Sequence, residues 1–241
     1  TVAPRVDATI SSDGISYKGY YVDRLQGDIV YDDGLVRLEN TRLSVGEGNA
    51  KVNGQYVVDT GDFDATIKAQ TLPLDTFTKD MSTPATGNVD GEVRILGKNN
   101  QVTDVVGAVE GRKIGIRGVV VDAMKANFTH SDNRTNLTLV GNMGDGAFSG
   151  YGYIQNGNVN ATISGNALPL TSLSPIIGQD VDGTLNTSIT IKGALDNPNV
   201  TGTVWGQEVH YKGARFDNIH GDIQLDNHVL TITNGHVGDA S

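Results

Sequence analysis

Hydrophobic and polar residues alternate along most of this chain, and the segment GDIVYDDGLVRLEN (residues 27–40) shows the pattern well. Ile29 and Tyr31 precede an Asp-Asp-Gly turn signal, and Val36 and Leu38 follow it. A period of two places one set of side chains on one face of a β-strand, and Asp-Gly favours a two-residue hairpin turn. The segment therefore predicts an antiparallel hairpin with one apolar face.

The same alternation recurs in at least six other segments, each with a row of Val, Ile, Leu or Phe on one side. We predict that these rows line one face of the sheet, and that they consist of Ile29, Tyr31, Val36, Leu38, Phe63, Ile67, Val93, Ile95, Val159, Ile163, Leu185, Ile189, Ile191, Ile223, Leu225, Leu230 and Ile232. Alternation alone does not decide whether a second sheet covers this face, as in a sandwich, or the sheet curves into a long trough.

Several segments of the sequence occur more than once. KGYYVDRLQGDIVYDD (18–33) returns as KGARFDNIHGDIQLDN (212–227), and a partial copy, RGVVVDAMKANFTHSD, lies at 117–132. DFDATIKAQTLPLDTF (62–77) returns as NVNATISGNALPLTSL (158–173). Repeats at a long period indicate an array in which each unit stacks on the next.

The repeats divide the chain into pieces of roughly 95 residues. We predict a first β unit at 1–101, a second at 102–198 and the start of a third at 199–241, all in one continuous sheet. The Leu-Pro-Leu segments interrupt the strand pattern, because Pro73 and Pro169 cannot donate a ladder hydrogen bond. Short helical segments are expected after both Leu-Pro-Leu segments, and the second is predicted to be amphipathic, with apolar residues Leu168, Leu170, Leu173, Ile176 and Ile177.

Composition removes several classes of function. The chain has 241 residues, no cysteine and a net charge of −10, so it offers no thiolate site and no basic surface for nucleic acid or anionic lipid. No apolar run approaches the ~20 residues of a transmembrane helix, and the first residues do not form a signal peptide. We expect the chain to be a piece of a longer protein.

Candidate chemistry is sparse. His220, His228 and His236 are spaced eight apart, which suggests a metal site, but solvated histidines in turns explain the spacing more simply. Asp180 and Asp182 resemble part of a calcium loop, but the glycine that follows is at the wrong position for an EF-hand. Carboxylates are plentiful, yet no pair has an apolar setting typical of a glycosidase. We predict no enzyme activity, no metal and no cofactor.

The segment GTLNTSITIKGALDNPNVTGTVWGQEVHYKGARFDNIHGDIQLDNHVLTITNG (183–235) carries a family resemblance. Its strand, its Gly-x-Leu-x-Asn-Pro-x-Val-x-Gly step, at Gly193 to Gly202, and its Gly-x-x-Phe-x-x-Ile-x-Gly-x-Ile line resemble the TamB family of the AsmA-like superfamily, from the envelopes of bacteria with two membranes. The first unit departs from the pattern, because Gly97 to Gln101 lacks the Asn-Pro step.

The resemblance implies an all-β fold: an elongated, rolled or curved sheet that forms an open trough, apolar inside. It implies a periplasmic segment of a bridge-like lipid carrier that takes phospholipid acyl chains between the inner and outer membranes. An inner-membrane anchor and the contact with a BamA-like outer-membrane barrel would then lie outside this chain.

Other functions remain open at this stage. Sheet edges also suit a periplasmic scaffold or chaperone that binds client β-strands during assembly of outer-membrane proteins or autotransporters. An extracellular β-solenoid would have shorter and more regular repeats. The apolar rows themselves have a simpler explanation, since rolled sheets also fill their interiors with side chains.

Overall fold

The computed structural model describes residues 5–17, 20–81, 83–226 and 229–239, apart from the side chains of Tyr17, Tyr20, Asp226, Leu230 and Asp239. Over these residues the chain is all-β, with fifteen strands in sequence order in an antiparallel sheet and two short helices. Each helix follows a Leu-Pro-Leu segment, so the predicted all-β fold with short helical segments is confirmed.

The elements follow one another with short turns. The strands are β1 (Arg5–Tyr17), β2 (Tyr20–Asp32), β3 (Leu35–Val45), β4 (Gly48–Val57), β5 (Asp62–Pro73), β6 (Ala85–Lys98), β7 (Gln101–Ile116), β8 (Val119–Ser131), β9 (Arg134–Met143), β10 (Gly146–Gln155), β11 (Asn158–Pro169), β12 (Val181–Ala194), β13 (Asn199–Tyr211), β14 (Ala214–Asp226) and β15 (Val229–Asp239). The helices are α1 (Leu74–Thr78), between β5 and β6, and α2 (Leu170–Ile177), between β11 and β12.

The chain forms two compact units. Unit 1 consists of Thr1–Arg112 with Asn127–Asp132, and unit 2 consists of Lys113–Ala126 with Asn133–Ser241. In unit 1 each strand from β1 to β6 pairs antiparallel with its neighbour in sequence, and in unit 2 the strands from β9 to β15 do the same. The division into three repeat units, at 1–101, 102–198 and 199–241, stays a prediction.

Bulges recur at equivalent positions of the repeats. Thr71 of β5 and Ala167 of β11 both have positive φ, of 53° and 49°, where the pairing with the next strand shifts. Asn40 of β3 and Asn234 of β15 form a second such pair, with φ of 53° and 52°. Left-handed residues at a bulge bend the strand and increase its twist.

Aspartates of the repeated segments accept hydrogen bonds at these turns and bulges. Asp23 accepts a hydrogen bond from the N–H of Gly46 at 2.6 Å, and its counterpart Asp122 accepts one from Gly144 at 2.7 Å. Asp28 likewise accepts a hydrogen bond from the side chain of Asn40 at 3.0 Å. The aspartates Asp23 and Asp28, which recur in the copies of KGYYVDRLQGDIVYDD, therefore have structural roles in turns and bulges.

Two of these carboxylates have pKa values below the ordinary aspartate value. Hydrogen bonding by the Asn40 side chain is the main cause of the lowered pKa of Asp28. Hydrogen bonding by Lys113, followed by that of the Gly144 N–H, lowers the pKa of Asp122. Both carboxylates thus bind protons more weakly in the folded chain than in the unfolded chain.

Acid is therefore expected to destabilise the fold through these groups. Their contribution is fully present above the unfolded-state aspartate pKa of about 3.9, and it is lost as the pH falls through the lower folded-state pKa. Thermal unfolding between about pH 5 and pH 3 should show a falling Tm, and the fall should be shallower in Asp122→Asn. Parallel pH curves for the two proteins would contradict this role of Asp122.

Candidate functional site

The structure describes the side chains of sixteen of the seventeen residues predicted to line the apolar face. Fifteen of these are partly buried, and Ile232 is 63 % exposed. The backbone of Leu230 lies in β15, but its side chain is outside the described residues. None of the sixteen is buried as a residue between two packed sheets would be.

In unit 1 the strand register brings eight of these residues to one face. Residues directly opposite each other in an antiparallel pair project to the same side of the sheet. The cross-strand pairs that connect them are Ile29 with Leu38, Tyr31 with Val36, Val36 with Tyr56, Leu38 with Gly54, Tyr56 with Phe63, Gly54 with Ala65, Ala65 with Ile95, and Ile67 with Val93. The rows cross β2 to β6, a distance of about 19 Å at the usual strand spacing.

Unit 2 has a corresponding face. The pairs Ile163 with Ile189, Ala161 with Ile191 and Leu168 with Leu185 connect β11 to β12, and Val159 lies opposite Gly193. The same face continues through Gly202 and Val200 of β13 to Ile223 and Leu225 of β14, and from there to Ile232 and Leu230 of β15. The predicted residues of each unit thus share one face of that unit.

Sequence reasoning missed several members of these faces. Val52 and Tyr56 lie on the face of unit 1, and Val200 and Val204 lie on that of unit 2. In each strand a glycine, Gly54 or Gly202, interrupts the apolar alternation. A search that treated such glycines as neutral would have found these residues.

Glycines on the face accommodate aromatic rings. Gly97 lies opposite Phe63, and a Cβ on Gly97 would overlap the Phe63 ring. In unit 2 a Cβ on Gly141 would meet the Phe148 ring in the same way. At both places the glycine has no side chain, which leaves room for the aromatic ring of the residue opposite it on the neighbouring strand.

Gly97→Ala is therefore expected to destabilise the chain by about 1–3 kcal/mol, because the new methyl group must displace the Phe63 ring. A Cβ at Gly235 would have no atom within 4 Å, so Gly235→Ala is the control and should leave stability nearly unchanged. Urea unfolding of the two variants measures the difference. Equal midpoints would contradict the close approach of Phe63 to Gly97.

Helix α2 covers part of the apolar face of unit 2. Val119, Met143 and Leu168 form a buried cluster, and Leu173 of α2 packs against it together with Val121, Phe148 and Leu185. The helix begins after Pro169 and ends at Gly178, which has the left-handed φ of 72° typical of a helix C-cap. Among the described residues, α2 thus contributes an apolar side chain to a cluster of buried residues on the face of unit 2.

The helix differs in part from the expectation. Leu173 of α2 packs against the cluster and Leu170 of α2 is buried, but Leu168 belongs to β11. Ile176 and Ile177 are exposed, at 67 % and 44 %. Pro175 lies inside the helix, near its end.

The polar candidates differ from the expectation in one respect, because two of the histidines expected in turns lie in strands. Among the described residues, no group of three or more His, Cys, Asp or Glu side chains is placed to hold a metal ion. His220 and His236 lie opposite each other in β14 and β15 rather than in turns, and His228 is outside the described residues. Asp182 accepts a hydrogen bond from the N–H of Gly183 at 2.7 Å.

Comparison with protein-family models, curated proteins and solved structures finds no match for this chain. In the part of the chain that the structure describes, neither helix has the length and apolar character needed to span a membrane.

Proposed function

We propose that this chain is a lipid-conducting segment of a periplasmic, bridge-like protein similar to TamB. Its apolar faces would hold the acyl chains of phospholipids as they move between the inner and outer membranes, in outer-membrane biogenesis. The observation that carries the proposal is the apolar face itself. Sixteen predicted lining residues have described side chains, and each is left partly buried or exposed.

The physical argument rests on transfer of apolar surface. Burial of an acyl chain against Val, Ile and Leu is favourable by about 25 cal/mol per Å² of apolar surface, or roughly 0.8 kcal/mol per methylene. A row of similar aliphatic side chains offers similar energy at each step, so a tail can slide along it. The headgroup needs no pocket, because it can remain in water.

The remainder of the transport path belongs to the proposal as well. The inner-membrane anchor and the contact with a BamA-like outer-membrane barrel are expected outside this chain. We propose no catalytic residue, metal or cofactor, and no nucleic-acid partner.

Native mass spectrometry with lipid extraction of the purified chain tests the proposal. We expect phospholipid to co-purify, and delipidated protein to take it up from phospholipid vesicles. A folded chain that carries no lipid and takes up none would contradict the proposal.

A scaffold for client β-strands is the second candidate, and one feature of unit 2 favours it. Among the described strands, β15 pairs only with β14, and it exposes the apolar residues Val229, Ile232 and Val237. An unpaired strand edge can take up another strand. Thr231→Pro and Ile232→Pro together cover both hydrogen-bonding positions of the edge and should abolish strand capture, which Ile189→Glu, away from that edge, should leave intact. Loss of lipid with strand capture intact would instead favour the lipid carrier.

A further inference from the structure

The polar faces of the two units differ in charge at equivalent positions. The repeats align β5, β6 and β7 of unit 1 with β11, β12 and β13 of unit 2. Seven polar-face positions that are charged in unit 1 are neutral in unit 2: Asp64, Lys68, Asp90, Glu92, Arg94, Glu110 and Arg112 correspond to Asn160, Ser164, Asn186, Ser188, Thr190, Trp205 and Gln207.

In unit 1 these charges form cross-strand ion pairs. Lys68 and Glu92 are 3.0 Å apart, and Arg94 and Asp64 are 2.6 Å apart in a pair with two hydrogen bonds. Hydrogen bonding by Arg94 lowers the pKa of Asp64. Such pairs are typical of a sheet face in contact with water. Unit 2 therefore departs from the repeat at these seven positions, while Lys192 and Asp222 keep charges elsewhere on the same face.

Trp205 is the clearest sign of that difference. It is the only tryptophan of the chain, it lies on the polar face of β13, and it is 51 % exposed. The ring of His220 meets the indole edge-to-face, with centroids 5.9 Å apart and an interplanar angle of 76°. An exposed, oriented indole is unfavourable in water and is the kind of residue that dominates binding surfaces.

Most side chains around the indole are polar and uncharged, and one carboxylate, that of Asp222 opposite Thr203, lies on the same face. Asn186 and His220 lie directly opposite Trp205 on the two neighbouring strands. Gln207, two residues along β13, lies opposite Thr184 and Asn218. Asn and Gln side chains offer both donors and acceptors, without charge.

We propose that this surface, formed by Thr184, Asn186, Trp205, Gln207, Asn218 and His220, binds a neutral glycan strand of N-acetylated sugars. The C–H groups of a sugar ring carry partial positive charge and stack on the negative face of an indole. Acetamido groups match the amides of Asn186 and Gln207, donor to acceptor. An anionic ligand would find no cation among these six residues, and an acyl chain would leave their polar groups without hydrogen bonds.

The single tryptophan makes a direct experiment possible. Intrinsic fluorescence of Trp205 is recorded while tetra-N-acetylchitotetraose is added to the folded chain, with cellotetraose, which lacks acetamido groups, as the matched sugar. We expect a saturable change with a dissociation constant of about 1 mM or below for the acetylated sugar, and at least tenfold weaker binding of cellotetraose.

The variant Asn186→Asp/Gln207→Arg restores the Asp90–Arg112 pair that unit 1 has at these positions, where the two groups are 3.0 Å apart. It should keep the fold, because Asp90 accepts a hydrogen bond from Thr71 at 2.8 Å just as Asn186 accepts one from Ala167. It also keeps Trp205 as the reporter. We expect its affinity for the acetylated sugar to fall at least tenfold, and calorimetry should show no binding by Trp205→Ala.

Three outcomes would overturn the proposal. The first is no saturable fluorescence change in the folded wild-type chain at acetylated-sugar concentrations of about 10 mM, and the second is equal affinity of the wild type and the double variant for that sugar. The third is a response to phospholipid vesicles or an unfolded peptide but not to the glycan. Ile189→Glu, on the opposite face, should retain glycan binding even where lipid is lost. Failure of the lipid proposal and failure of the glycan proposal are thereby distinguishable.

Discussion

Ile189→Glu is expected to remove co-purifying phospholipid from the chain, whereas Thr190→Glu should leave it in place. The two residues are neighbours in β12, but they project to opposite faces. Ile189 lies opposite Ile163 and Gly202 on the apolar face, and Thr190 lies opposite Thr162 and Thr201 on the polar face.

The reason for the difference is desolvation. A carboxylate among acyl chains must give up its water without a partner, a cost of several kcal/mol, whereas on the polar face it stays hydrated. Even a loss of 1.4 kcal/mol is about tenfold in affinity, so Ile189→Glu should reduce lipid retention by at least that factor. Both side chains are partly buried in the free chain, so each variant should still fold.

Phospholipid per protein, measured after extraction, gives the result, and circular dichroism confirms the fold of each variant. Equal lipid content in the two variants would show that the apolar face is not where lipid binds. Loss in both would indicate a general effect of negative charge.

Leu168→Ala is expected to cause the largest loss of stability, about 2–5 kcal/mol. Leu168 is 7 % exposed and belongs to the buried cluster with Val119 and Met143, where α2 packs against the sheet. The substitution removes methyl groups from this buried cluster and leaves a cavity beneath the helix.

Ile176→Ala is the matched control. It removes an aliphatic side chain of similar size from α2, but Ile176 is 67 % exposed, so the change in stability should stay within about 0.5 kcal/mol. Urea unfolding gives both values, and hydrogen exchange of the α2 amides should speed up in Leu168→Ala alone. Similar losses in both variants would mean that α2 does not depend on the cluster.

The period-two pattern predicts strands and many of the residues that share each face, although it missed Val52, Tyr56 and the valines of β13. In GDIVYDDGLVRLEN the alternation and the Asp-Asp-Gly signal predict β2, β3 and the turn between them, and the structure has all three. Pro73 and Pro169 likewise predict where the strands give way to α1 and α2. These features depend only on residues close together in the sequence, so they can be predicted from the sequence alone.

Features that depend on the neighbouring strand could not be predicted. The place of Gly97 beneath Phe63 depends on the register of β5 with β6. The left-handed residues Thr71 and Ala167 are neither Gly nor Asn, so nothing in their chemistry marks a bulge. The exposure of Ile232 follows from its place on β15, which has only β14 beside it among the described strands.

The contrast between the two polar faces is readable from sequence only once the repeats are aligned by structure. Trp205 then stands where unit 1 has Glu110, and Gln207 stands where it has Arg112. Without the strand register, Trp205 is one aromatic residue in a β-rich chain. With the register, it belongs to a surface of mostly uncharged polar side chains.

Photo-crosslinking from consecutive positions of β12 tests the central claim most directly. A benzoylphenylalanine residue is introduced in turn at Ser188, Ile189, Thr190 and Ile191 of the full-length protein in living cells. The account predicts phospholipid adducts from positions 189 and 191 and none from 188 and 190, since only the odd-numbered residues lie on the apolar face. Adducts of equal yield at all four positions, or at none of them, would contradict it.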